Sequence, residues 1–198
     1  GLSINGYKSM VEMQFADFVT EGFNQIINNL AKTHYRWNQN ADVVVRMPTG
    51  AGTGAGPFHS QSNEAWFAHT PGLKIVYPAF PEEAKGLLAS AIEDPNPVMF
   101  FEHKFLYRSL KEEVHDDYFT VEIGKAKVRK TGNQISVITY GMGVHWALEM
   151  AEIRVDFPAF GMPSRPTSAS TFNSSFKVRF SPAQPGVFWR GARLVELL

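Results

Sequence analysis

The chain predicts an α/β protein, a parallel sheet with helices on its faces. Two observations predict it. Short apolar runs alternate with segments of helical period between residues 11 and 102. One of those runs, Val43-Val44-Val45, is apolar on both sides, as a strand covered on both faces must be. The strand, helix, strand order then favours crossover connections and parallel pairing.

Each element has its own warrant. Residues 11–15, VEMQF, are short and apolar enough for a buried strand. Val19, Phe23, Ile26, Ile27 and Leu30 follow at helical spacing, with Asp17 or Thr20 near the helix start. Asn38, Gln39 and Asn40 mark a loop before the valine strand. A glycine-rich loop, Gly50 to Gly56, runs into Pro57, Phe58 and His59. Ser60 is placed to cap a helix over 61–69. Pro71-Gly72 is a turn, and residues 74–78, KIVYP, read as a strand. Pro81, Glu82 and Glu83 open a helix, because proline suits its first turn and carboxylates suit its dipole. Ala84, Leu87, Leu88, Ala91 and Ile92 form its apolar stripe, and Asp94-Pro95-Asn96-Pro97 stops it. Residues 98–102, VMFFE, read as a strand, and 103–118 as a charged connector. Alternation in TVEIGKAKVRK, a TGN turn, the run ISVITY and a helical GVHWALEMAEI read as the start of a second α/β unit. From about residue 153 no useful periodicity remains, and 5 of the chain's 12 prolines fall there, so 153–198 reads as an irregular tail.

Composition narrows function. Lys plus Arg and Asp plus Glu number 19 each, so no net field recruits nucleic acid or an anionic membrane. Without cysteine there is no disulfide, thiolate metal site or cysteine nucleophile. No apolar run approaches the ~20 residues of a membrane helix. The N-terminus lacks both a signal pattern and an initiator methionine, so it is expected not to be a natural start.

The chemistry candidates each have two readings. The glycine loop lacks the Gly-Lys-Ser/Thr of a phosphate-binding loop and fails the G-x-G-x-x-G spacing. It permits close approach to something, or is merely flexible. His59 lies one loop beyond a strand of the sheet, where open α/β sheets bind ligands. It either moves protons near neutrality or is a surface histidine satisfied by water. Asp94 and Asn96 mark a helix stop, or an oxygen-rich cation site at a helix end. Phe15, Phe18 and Phe23 read as core, except that Phe18 falls off the apolar stripe and is free to face a ligand.

Four segments, QFADF, RMPTGAGTGAGPFHSQSNEAWFAHTPGLKIVYP, AKGLLASAIEDPNPVMFFEHKFLYR and IGKAKVRKTGNQISVITYG, resemble the beta subunit of thiamin-diphosphate-dependent 2-oxo acid dehydrogenases. The resemblance covers about residues 5 to 152, and it is closer to the branched-chain 2-oxoisovalerate type than to the pyruvate type. It implies a pyrimidine-binding domain over 1–112, a connector over 113–131, the first strand and helix of a transketolase C-terminal-like domain over 132–152, and an unmatched tail over 153–198. It implies oxidative decarboxylation of a 2-oxo acid and transfer of the acyl group to a lipoyl-protein. The HSQS histidine, His59, would contact the substrate carboxylate and handle a proton during acyl transfer. Phe18, with Phe15, would pack on the aminopyrimidine of thiamin diphosphate. A structural potassium ion would sit on Val43, Ala91, Ile92, Asp94 and Asn96, largely through backbone carbonyls, with Ala41 and Val44 as further candidates. The implied partners are an alpha subunit in an alpha2beta2-type assembly, which would hold most of the magnesium site, and a lipoyl-bearing acyltransferase core. A bacterial cytoplasm is expected rather than a mitochondrial matrix.

Two departures qualify the resemblance. The family's cofactor-activating glutamate lies in a T-P-x-x-E segment upstream of QFADF, and the chain begins after that point. Residues 153–198 resemble no part of the family's second domain. The expectation is therefore a fragment with an out-of-frame or unrelated tail, active only in a complete alpha/beta assembly. An inactive fragment or spurious gene product binding no cofactor, and another transketolase-type enzyme, remain as alternatives.

Overall fold

The structure is a computed structural model that describes residues 1–133, 135–152 and 192–197. Four strands form a parallel sheet: β1 (Ser9–Glu12), β2 (Val43–Thr49), β3 (Lys74–Val76) and β4 (Val98–His103), in the order β1-β2-β4-β3. The expected parallel α/β sheet is present, with its first strand two residues earlier than VEMQF predicted.

Alternation along β2 and β4 builds a core on each face. Val45, Met47, Met99 and Phe101 point to one side, where Ala16, Val19, Ile26 and Phe67 cover them. Val44, Val98 and Phe100 point to the other, against Leu87 and Ala91 of α3 (Pro81–Glu93). This two-sided burial is why Val43-Val44-Val45 shows no polar alternation.

The segment from Ala16 to Trp37 is helical, yet it is not one regular α-helix. A 3-10 stretch (Ala16–Gly22), a π turn (Gln25–Asn29) and a further 3-10 turn (Leu30–Lys32) precede α1 (Thr33–Trp37). The predicted helix over 61–69 shrinks to α2 (Glu64–Ala68). Ser60 does not cap it; residues 60–63 stay non-helical, because the Gln61 backbone is committed to a neighbouring strand end and to Asp17. The connector contains one short helix, α4 (Leu106–Ser109), after β4.

A second, three-stranded sheet holds β5 (Ala126–Lys130), β6 (Ile135–Thr139) and β7 (Ala192–Leu197) in the order β5-β7-β6. Helix α5 (Met142–Glu152) follows β6, as expected. Two expectations need correction here. The end of the 113–131 connector is strand β5, and residues 192–197 of the supposed irregular tail form the middle strand. Residues 153–191 and 198 of that tail lie outside the described residues. What hid β7 is Glu196, a charged residue that is fully buried here. It accepts from Arg129 Nε at 2.5 Å, and Arg129 also pairs with the buried Glu83 of α3. The Arg129 guanidinium lies 4.1 Å over the Phe80 ring, so this cluster ties the second sheet to the start of α3.

Gly86 lies within α3, where glycine is normally unfavourable. Its missing side chain lets the loop after α4 cross the helix, and the Val121 N–H donates to the Gly86 carbonyl at 3.1 Å. A Cβ there would stand 2.5 Å from Val121 Cγ2 and 2.7 Å from Phe119 Cε2. Gly86→Ala is therefore expected to destabilise the fold by about 1–3 kcal/mol, although alanine is the better helix former. A denaturant midpoint that rises in the variant would contradict this packing.

Candidate functional site

The site is built where β2 and β4 end. Their parallel register sets Thr49 opposite His103. The Lys104 N–H donates to the Thr49 carbonyl at 2.9 Å, which extends the pairing by one residue. The chain then leaves β2 through the glycine loop and returns at Gln61. Two donors close the loop at its base: Gly50 N–H and Thr49 Oγ1 both reach the Gln61 carbonyl, at 2.9 and 2.8 Å. Residues 51 to 58 between these ties are exposed.

Inside the loop, a single 3-10 turn over Pro57–His59 presents the imidazole. The His59 ring meets Phe15 at 5.4 Å and Phe18 at 5.5 Å between centroids, edge to face in both cases. The sequence-predicted trio of His59, Phe15 and Phe18 is thus one cluster. Phe15 is extended, and the 3-10 stretch begins at the next residue, so the backbone turns between the two rings. Phe18 remains 43% exposed, which leaves ring surface free for a planar apolar partner.

Buried polar side chains hold the segment carrying these rings. Asp17 is buried, and its Oδ1 accepts the Gln61 N–H at 3.0 Å. Asn63, also buried, donates from Nδ2 to the Ala16 carbonyl at 2.9 Å. The Lys104 ammonium lies 4.1 Å over the Phe15 ring and donates to the His59 carbonyl. Sequence reasoning missed this role of Lys104, and it read Asp17 only as a helix start. No local pattern announces either, because their partners come from other strands and loops.

Electrostatics follow burial. Desolvation lowers the Lys104 ammonium below the usual lysine value, with Asp17 opposing the shift. Desolvation also lowers His103, and the nearby Lys104 and His145 push it the same way, so its imidazole is neutral at pH 7. His103 Nδ1 is buried without a hydrogen-bond partner among the described residues.

The residues proposed for potassium gather elsewhere. Val43 opens β2, while His59 follows its far end, a separation of about 20 Å along the strand. Ala91 and Ile92 lie in the last turn of α3. The Ala91 carbonyl cannot take a helical hydrogen bond from residue 95, which is proline. The Asn96 N–H turns instead to Asp94 Oδ1, at 2.9 Å. This helix end does attract cations, since Lys8 Nζ donates to the Glu93 carbonyl at 3.0 Å and pairs with Asp42 at 2.8 Å. Burial alone would raise the Asp94 carboxyl, but hydrogen bonds from Lys74 and Asn96 outweigh it and hold the group below its ordinary value. Lys8 Nζ also reaches the Asp94 carbonyl at 3.5 Å, so an ammonium of the chain itself stands at one of the carbonyls read as potassium ligands. Among the described residues there is no His, Cys, Asp and Glu cluster of the kind a transition metal needs.

Comparisons with known proteins give the family and the fold. The family model described as transketolase, pyrimidine binding domain, matches residues 1–109. The 2-oxoisovalerate dehydrogenase subunit beta of Bacillus subtilis is 51% identical over 154 residues, spanning 77% of this chain and 47% of that protein. The pyruvate dehydrogenase E1 component subunit beta of Staphylococcus aureus is 43% identical over the same length, with the same two shares. The chain thus spans about half the length of these relatives. A solved structure described as a split gene transketolase, inactive beta4 tetramer, superimposes with a TM-score of 0.59 at 20% identity. It covers 99% of this chain and 51% of its own, and it speaks to the fold alone.

One residue at the base of the loop tests the geometry. Gly50 has φ +86°, and a Cβ there would fall within the His103 ring. Gly50→Ala should cost roughly 1–3 kcal/mol from backbone strain alone, with the ring clash adding to it. A denaturation curve superimposable on wild type would show that the loop base is not held as described.

Proposed function

The chain belongs to the transketolase pyrimidine-binding domain family, and on that premise we propose that it is a portion of a 2-oxo acid dehydrogenase beta subunit. The observation that carries the proposal is the His59, Phe15 and Phe18 cluster at the carboxyl ends of β2 and β4. The 51% identity to a 2-oxoisovalerate dehydrogenase subunit, against 43% to a pyruvate dehydrogenase subunit, favours a branched-chain substrate. The reaction converts a 2-oxo acid and an oxidised lipoyl-protein into carbon dioxide and an S-acyl-dihydrolipoyl-protein.

Thiamin diphosphate, when bound, supplies the electron sink for decarboxylation. The exposed Phe18 ring fits the flat face of the cofactor's aminopyrimidine, with Phe15 behind His59. His59 orients the substrate carboxylate. It then delivers a proton to the lipoyl sulfur that leaves as the acyl group is taken up. An alpha subunit holds the diphosphate and its magnesium, and an acyltransferase core supplies the lipoyl group. The compartment is a bacterial cytoplasm. The carbonyls of Ala91, Ile92, Asp94 and Asn96, with Val43, bind a structural potassium ion.

Two measurements test these assignments. In the beta subunit assembled with its alpha partner, His59→Ala should fold normally and cut acyl transfer to lipoamide by about 10²-fold or more. Wild-type turnover in that variant would remove His59 from the reaction. Replacing potassium by lithium should lower the melting temperature of the assembly, as loss of a native-state ligand must. A midpoint indifferent to the cation would remove the potassium assignment and leave the catalytic one standing.

A further inference from the structure

We infer that Lys104 is the positioning residue for His59, holding the histidine through its main-chain carbonyl. The inference rests on the role proposed for His59. Lys104 is buried at the end of β4, and three contacts fix it. Its N–H donates to the Thr49 carbonyl at 2.9 Å, its carbonyl accepts the Tyr107 N–H at 3.3 Å, and its ammonium lies 4.1 Å over Phe15. From there Nζ donates to the His59 carbonyl.

The receiving turn has little hold of its own. Pro57–His59 is one turn of 3-10 helix after a run of exposed residues. The His59 N–H makes a long bond of 3.3 Å to the Gly56 carbonyl. Among the described residues its ring makes only edge contacts, to Phe15 and Phe18. The Lys104 ammonium links this turn to a strand end, so it sets how far the imidazole stands from the sheet. Burying an ammonium costs several kcal/mol before its contacts repay it, and an apolar residue would fill the same space at lower cost. A buried lysine against the Phe15 face, aimed at that one carbonyl, is therefore better explained by positioning than by packing.

A double-mutant cycle in the assembled alpha/beta enzyme tests this. Lys104→Met keeps the apolar stem and removes the charged donor. It should lower kcat for acyl transfer by about tenfold to a hundredfold, the cost of misplacing a reacting group by about 1 Å, with KM for the 2-oxo acid little changed. In the His59→Ala background the same change should cost less than about twofold, because the two residues act as one unit. Lys104→Arg, which keeps a cation and N–H donors, should recover most of the loss. Losses that multiply in the double variant would overturn the inference, as would full turnover in Lys104→Met. If Lys104→Met does not fold, the cycle is decided with Lys104→Gln, which keeps a neutral donor. Wild-type turnover in His59→Ala alone would instead remove the underlying reading of the histidine.

Discussion

The parallel pairing of β2 with β4 is the constraint on which the site depends. Its register brings Thr49 level with His103 and lets the backbone of Lys104 continue the ladder. Two chain segments that are distant in sequence therefore leave the sheet side by side. One becomes the glycine loop that carries His59, and the other carries the lysine that meets it. A shift of one residue in this register would turn the side chains of one of the two strands, Met47 or Phe101 among them, from one core to the other, so the hydrophobic pattern fixes the site's geometry as firmly as it fixes the sheet.

Burial then selects which polar groups persist around the histidine. Asp17, Thr49 and Asn63 are all buried, and each has an oxygen or nitrogen bonded to backbone. A buried polar atom left unpaired costs about 1–3 kcal/mol, so these bonds hold the segments they join. The aromatic segment, the loop base and the strand end form one rigid frame. The exposed glycine loop sits outside that frame, where positive φ at Gly52, Gly54 and Gly56 lets it turn without strain.

Much of this was legible in the sequence. The valine run gave away two-sided burial, and the Pro81 helix announced both its ends. HSQS singled out His59 and the apolar stripe left Phe18 aside, and the structure brings the two rings together. What stayed hidden depends on partners from elsewhere in the chain. Glu196 reads as a surface residue until Arg129, 67 residues away, is placed beside it. Lys104 reads as one charge in a charged connector until β4 lies against β2. Helix α2 starts later than the sequence predicts, because Ser60 satisfies the capping pattern while the backbone of Gln61 is drawn to the end of β2. Local propensity lost in each case to a tertiary contact.

In the proposed function, the exposed face of Phe18 and the adjacent His59 form one wall of a thiamin diphosphate site. The most direct measurement is a calorimetric titration of thiamin diphosphate with magnesium into the beta subunit assembled with its alpha partner, comparing wild type with Phe18→Ala. Loss of one aromatic stacking face should weaken binding by about tenfold, equivalent to about 1.4 kcal/mol. Equal affinity in the two proteins would show that the cofactor does not rest on this wall, and the account of the site would fail with it.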